Sequence, residues 1–173
     1  MYRTIRTGRL EIKPYKESDQ ADLIELLTNR EIKKSFILPD FQTEEEIIRM
    51  VNKLQTFSCS NDHFERSIYL HDCLIGFVND VEIEDDAIEL GYVIHPVYHN
   101  KGYATEMLKA VIDELFRKGF SEIVTGAFDD NIASIQVMRK CGMSKTDKEE
   151  DIFYEGRKRH CVYYAIHSKD YPK

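Results

Sequence analysis

In residues 9–15, Leu10 and Ile12 alternate with polar neighbours, the period-two pattern of a strand with one buried face. Ser18 and Asp19 then open a helical stretch whose apolar stripe is Ala21, Leu23, Ile24, Leu26 and Leu27. A second helix is predicted over 43–57. Thr43 and Glu46 have the spacing of a capping box, and Ile47, Ile48, Val51 and Leu54 return at helical intervals. Three runs rich in β-branched and aromatic residues follow, 64–70, 74–83 and 87–95, separated by the short polar turns His71-Asp72 and Glu84-Asp85-Asp86. They read as an antiparallel meander. The period then changes: Ala104, Met107, Leu108, Val111, Ile112, Leu115 and Phe116 recur every three or four residues, with Glu106, Lys109, Asp113 and Arg117 opposite and Gly119 at the stop. A strand over 122–128, a helix over 132–140 closed by Gly142, and strands near 152–154 and 160–167 complete the chain.

The order β, α, α, β, β, β, α, β, α, β, β predicts an α+β (mixed α/β) domain, a mostly antiparallel sheet with one strand–helix–strand crossover. With 173 residues and no linker, repeat or low-complexity tract, one domain over 1–173 is expected. No apolar run approaches the ~18–20 residues of a membrane span, and the charged N-terminal stretch lacks the apolar region of a signal peptide. The net charge of -7 leaves no basic footprint for direct nucleic-acid binding and suits a cationic or amine-bearing partner. Cys59, Cys73, Cys141 and Cys161 are dispersed with no C-x-x-C pair, so no zinc pattern is expected and four reduced thiols in a cytoplasmic protein are. His63, His71, His160 and His167 lack metal spacing.

The chemistry concentrates in residues 89–106, ELGYVIHPVYHNKGYATE. A strand ends at Pro96, a polar loop follows, and a long helix begins at Gly102–Tyr103. Such a loop gathers backbone N–H groups at the positive end of a helix dipole, a site suited to phosphate. Gly102 lets the backbone approach an anion and Ala104 keeps the first turn uncrowded. No G-x-x-x-x-G-K-[ST] or G-x-G-x-x-G is present, which excludes a P-loop and the dinucleotide fingerprint. Taken alone, the loop favours the plainer reading, a helix start with a turn glycine.

His99-x-x-Gly102-x-Ala104 resembles the Q/R-x-x-G-x-G/A loop of the GNAT superfamily of acyl-CoA-dependent N-acyltransferases. Residues 131–143, NIASIQVMRKCGM, resemble that superfamily's second signature, N-x-x-S-x-x-x-x-x-K-x-G-F. The start at Arg9-Leu10, with Pro14 and the Ser-Asp helix opening, is similar to the RimJ/RimL branch. The resemblance runs from about residue 8 to 168. It implies a twisted sheet of about seven strands with helices on both faces, and acetyl transfer from acetyl-CoA to a primary amine in a ternary complex. It implies that His99, Asn100, Lys101, Gly102, Tyr103, Ala104 and Thr105 hold the coenzyme's pyrophosphate, largely through backbone amides. Tyr92, Val93, Ile94 and His95 would pair their backbone with the pantetheine arm as an added strand, and Asn131 and Ser134 would face the pantetheine and the thioester sulfur. The chain departs from the pattern at His99, where Gln or Arg is usual, and at Met138, where many relatives carry a tyrosine acid. Ser134 or an ordered water is then the candidate proton donor to the leaving thiolate, or the thiolate leaves without one.

Amine acetylation needs a proton acceptor and a donor to the developing oxyanion. A backbone N–H near Val93 or Ile94 is the candidate donor. Glu89 is the candidate base, since a partly buried carboxylate there would also attract a cationic amine; the competing reading is a cross-strand ion pair. His95 is a second candidate base. Asn131 before an apolar helical run is also a preferred N-cap, and the Gly156–Arg159 cluster reads as a solvated hairpin turn. The acceptor, a protein N-terminus or a small-molecule amine, is not fixed by sequence. An alternative to the enzyme is a non-catalytic acyl-CoA-binding sensor or interaction domain of the same fold. A monomer is expected, or a homodimer paired through an exposed C-terminal strand.

Overall fold

The alternating pair Leu10 and Ile12 builds the second strand of the chain in a computed structural model that describes residues 3–171. The strands are β1 (Ile5–Arg6), β2 (Leu10–Lys13), β3 (Arg66–Leu70), β4 (Cys73–Glu84), β5 (Ala87–Ile94), β6 (Glu122–Phe128), β7 (Ser144–Tyr154) and β8 (Arg157–His167). The helices are α1 (Gln20–Thr28), α2 (Arg30–Lys33), α3 (Glu44–Ser58), α4 (Tyr103–Lys118) and α5 (Ile132–Lys140). The strands hydrogen-bond in the order β1-β2-β3-β4-β5-β6-β8-β7. β5 and β6, joined through α4, pair in parallel, while β1–β2, β2–β3, β3–β4, β6–β8 and β7–β8 pair antiparallel. This is the mixed α+β meander with one crossover that the order of elements predicts.

Three details correct the sequence reading. Among the described residues the sheet has eight strands rather than about seven, because the two-residue β1 is too short to leave a periodic signal. β7 begins at Ser144 rather than near 152: it is an edge strand, exposed at every one of its first eight residues except the half-buried Thr146, so only its apolar end was legible. The C-terminal strand β8 is not an exposed edge. It lies between β6 and β7, and the edges are β1 and β7.

The described residues form two compact units. The first runs to Asn79 and takes in Tyr92–Tyr103; the second comprises Asp80–Gly91 and the chain from Ala104 onward. β4 and β5 contribute residues to both. In the first unit, Leu23, Leu26 and Leu27 of α1, Ile32 of α2 and Val51 of α3 pack with Tyr15, Tyr69, Leu74, Phe77 and Val93. Thr43 caps α3 by accepting from the Glu46 N–H at 3.3 Å. The Glu46 carboxylate reaches back one residue further than a capping box requires, to the Gln42 N–H at 2.7 Å. In the second unit, Met107, Leu108, Val111, Ile112 and Leu115 of α4 are fully buried, each worth about 1.5–3 kcal/mol of transfer free energy. The β7–β8 hairpin turns at Glu155 and Gly156, both at positive φ, as a two-residue hairpin turn of the primed kind demands. Arg159, expected in a solvated turn, is buried on β8. It donates to Asp130 at 2.7 Å and its guanidinium lies 3.8 Å from the centre of the Phe128 ring.

Candidate active site

The sequence-predicted site residues fall into two sets, one in each unit. In the first unit, Tyr92, Val93 and Ile94 form the last turn-free stretch of β5. The parallel ladder to β6 stops at Leu90↔Thr125, so these residues run on beyond its end. The His95 N–H donates to the Ile75 carbonyl at 2.7 Å. His95 Nδ1 accepts from the Val97 N–H at 3.3 Å and Nε2 lies 2.8 Å from the Glu25 carboxylate. Nδ1 thus caps the short turn that starts at Pro96, while Nε2 pairs with a carboxylate on α1.

The loop that follows is shaped by two residues at positive φ, Asn100 at 59° and Gly102 at 81°. Asparagine and glycine are the residues that enter this region most readily. The His99 side chain is engaged within its own segment: its Nε2 donates to the Ile94 carbonyl at 2.6 Å. Lys101 Nζ donates to the Val97 carbonyl at 3.0 Å. A cation comes instead from the β1–β2 turn. Arg9 Nη1 donates to the Lys101 carbonyl at 3.0 Å, its guanidinium lies 4.5 Å from the centre of the Tyr103 ring, and Nη2 would be 3.4 Å from a Cβ at Gly102. The glycine is thus needed for its φ, since a Cβ there would only come into ordinary contact with the end of the Arg9 side chain. A backbone loop at a helix start, backed by a guanidinium, is a donor set that fits a pyrophosphate.

In the second unit, Ala104 and Thr105 occupy the first turn of α4, where the Thr105 carbonyl accepts from Cys141 Sγ at 3.7 Å. Asn131 is the N-cap of α5, its Oδ1 accepting from the Ser134 N–H at 3.2 Å. The capping reading holds, and it ties the Asn131 side chain to the backbone of Ser134 on the first turn of the helix. Met138 is fully buried, so the place of the absent tyrosine is filled by core packing. Glu89, on the ladder segment of β5, has a side chain only 15% exposed, and its Oε2 accepts from Lys148 Nζ at 3.0 Å. The ammonium of Lys148 also lies 4.1 Å from the centre of the Tyr163 ring, and the Tyr163 hydroxyl donates to Glu150. Burial is the main cause that pushes the Tyr163 hydroxyl well above the usual tyrosine range, with the Glu150 bond and the Glu89 charge adding to it.

Arg9, Lys148 and Tyr163 were not singled out from sequence. Arg9 had a signal, a basic residue in the segment similar to the RimJ/RimL branch. Lys148 sits in an unpatterned charge run and had none. Among the described residues, no cluster of His, Cys, Asp or Glu is arranged to hold a metal ion, and no helix is long and apolar enough to cross a membrane.

The acetyltransferase (GNAT) domain model matches residues 9–144. The uncharacterized N-acetyltransferase YnaD of Bacillus subtilis (strain 168) is 30% identical over 143 residues, covering 82% of each chain. The crystal structure of a GNAT-family acetyltransferase from Bacillus anthracis superposes with a TM-score of 0.82 at 25% identity, over 97% of this chain and all of that one. RimL, a ribosomal L7/L12 alpha-N-protein acetyltransferase solved with coenzyme A, shares the fold at 20% identity with a TM-score of 0.83, over 95% and 98% of the two chains. By this match and this relative, the chain belongs to the GNAT acetyltransferase family.

Proposed function

We propose that the chain acts as one N-acetyltransferase domain over residues 1–173, in the cytoplasm, moving the acetyl group of acetyl-CoA to a primary amine in a ternary complex. The observation that carries this reading is the Asn100–Gly102 loop with Arg9 behind it, in a chain of the GNAT family. Acetyl-CoA supplies an activated thioester. His99, Asn100, Lys101, Gly102, Tyr103, Ala104 and Thr105 would hold its pyrophosphate through backbone amides and the start of α4, with Arg9 fixing the loop. Val93 and Ile94, with Tyr92, would offer backbone groups to the pantetheine, and one of their N–H groups would stabilise charge developing on the thioester oxygen. Asn131 and Ser134 would contact the pantetheine and sulfur, with the Ser134 hydroxyl as proton donor to the departing thiolate.

Glu89 would accept the proton of the attacking amine, directly or through one water, and its carboxylate would favour a cationic acceptor. That acceptor is a small-molecule amine or a protein N-terminus. The test is loss of thioester absorbance from acetyl-CoA in the presence of a pool of small amines and short peptides. Wild type should consume acetyl-CoA in an amine-dependent way, and Glu89→Gln should lower kcat by about 10²–10⁴-fold while coenzyme binding is retained. An unchanged kcat would remove Glu89 from the mechanism. Coenzyme binding with no amine-dependent turnover would leave a non-catalytic binding domain.

A further inference from the structure

The contact between Glu89 and Lys148 is unexpected from the sheet order. Glu89 is on β5 and Lys148 on β7, and β6 and β8 lie between them. Three inter-strand steps amount to roughly 14 Å between backbones, yet the two charged groups meet at 3.0 Å. An irregularity in β7 closes the distance. Lys145 pairs with Tyr164 and Glu149 with Val162, so Thr146, Asp147 and Lys148 face the single residue Tyr163. The bulge is stapled at its base: the Thr146 hydroxyl donates to the Tyr163 carbonyl at 3.2 Å and accepts from the Lys148 N–H at 3.2 Å. A bulge bends its strand and re-aims a side chain. Here it lays Lys148 along the face of Tyr163, whose ring is seated over Gly126 on β6, 2.7 Å from where a Cβ there would be.

We propose that Lys148 is a built-in occupant of an ammonium subsite formed by the Glu89 carboxylate and the Tyr163 ring, holding the place that the cationic amine of the acceptor takes. The proposal rests on the reading that Glu89 serves the acceptor. The chemistry is that of a primary ammonium: one carboxylate at hydrogen-bond distance and an aromatic face within 6 Å, the two contacts that recognise alkylammonium ions. The surrounding charge keeps the occupant protonated. Partial burial pulls the Lys148 ammonium towards neutrality, but the Glu89 hydrogen bond and the charges of Glu89, Glu150 and Glu82 outweigh it, so Lys148 titrates above the ordinary lysine range. Those carboxylates come from β4, β5 and β7 and Tyr163 from β8, so charged or titratable groups of four strands face the same position.

The occupant is also able to leave. The Lys148 side chain is 52% exposed against 15% for Glu89, so the lysine end can swing into solvent while the carboxylate stays. Acceptor entry then exchanges one ammonium for another at constant charge. The subsite discriminates against amines too weakly held to displace Lys148, and it keeps Glu89 compensated when no acceptor is present.

The experiment measures binding of spermidine, a flexible polycationic amine, by calorimetry in the absence of acetyl-CoA, to wild type, Lys148→Met, Lys148→Gln, Lys148→Arg and the double variant Lys148→Met/Glu89→Gln. Removing the occupant should tighten spermidine binding at least fivefold in both the Met and Gln variants. Lys148→Arg, which restores a cation, should stay within twofold of wild type, and the double variant should lose the gain. In steady state, KM for the same probe should fall in parallel for Lys148→Met. Equal or weaker binding by the Met and Gln variants, a gain that survives loss of Glu89, or no measurable binding by any variant overturns the proposal. Because the titration contains no acetyl-CoA, failure of the acetyltransferase reading is seen separately, as absent turnover by a protein whose amine binding responds to Lys148.

Discussion

Gly76 on β4 faces the end of β5 so closely that a single methyl group should be felt. A Cβ built there would overlap the Val93 carbonyl oxygen outright, and would lie 3.0 Å from the Val93 carbon and 3.1 Å from the Ile94 Cα. Every one of these atoms is backbone, so no rotamer change relieves the contact and β5 itself must move. Forced overpacking costs about 1–3 kcal/mol. The neighbouring bond from the His95 N–H to the Ile75 carbonyl, 2.7 Å, would be stretched, adding about 0.5–1.5 kcal/mol. Against this, alanine restricts the unfolded chain and returns about 0.4–1 kcal/mol. At the middle of these ranges the net loss for Gly76→Ala is about 2.3 kcal/mol, which lowers Tm by about 5–9 °C in a domain of this size. Gly126→Ala is the internal comparison. Its Cβ would meet a side chain, the Tyr163 ring, which can tilt, so its loss should be the smaller of the two. Thermal unfolding followed by circular dichroism reads both variants. A Gly76→Ala protein melting within about 2 °C of wild type, or a Gly126→Ala protein that loses more, would refute the argument that rigid backbone sets the cost.

Two further outcomes can be checked on the same protein. Arg9→Met removes the guanidinium from the Lys101 carbonyl and the Tyr103 face. It should weaken acetyl-CoA binding by about 5–20-fold, the range of one charge-assisted contact, with kcat at saturating coenzyme little changed; an unaltered dissociation constant in calorimetry would remove Arg9 from the loop's function. Burial pushes the thiols of Cys141 and Cys161 up to about 11, above the ~8.5 of an unfolded thiol. Their stabilisation is therefore complete below about pH 8.5 and is lost as pH rises towards 11. At about pH 8, a thiol reagent should label the exposed Cys59 and Cys73 quickly and the other two only on unfolding; a third fast thiol would contradict the burial.

Where a side chain's place follows from local pattern, the sequence was a sufficient guide. The three- and four-residue recurrence of Met107, Leu108, Val111, Ile112 and Leu115 predicts a buried helix face, and all five are buried. Thr43 and Asn131 cap the helices that their spacing marks. The loop at Asn100–Gly102 was also legible, because its chemistry resides in backbone conformation that asparagine and glycine advertise. Contacts between distant strands were not. Arg9 reaches the loop across 92 positions of sequence, and Lys148 reaches Glu89 across 59. Neither has a periodicity to betray it. The exposed half of β7 carries no hydrophobic alternation either, since an edge strand covered by solvent has no buried face to encode. Arg159 misled for the opposite reason: its basic neighbours Arg157 and Lys158 are exposed, but the strand's alternation turns it inward onto Phe128.

The irregularity in β7 contains two surplus residues, not one. Between its flanking pairs the strand advances four positions while β8 advances two. An odd surplus would invert the inside and outside of everything beyond it; an even surplus preserves parity, so Ile152 and Tyr154 keep the orientation they would have on an uninterrupted strand. A paired insertion or deletion at 146–148 is therefore an almost silent event for the architecture and a decisive one for the carboxylate on β5, which gains or loses its resident cation.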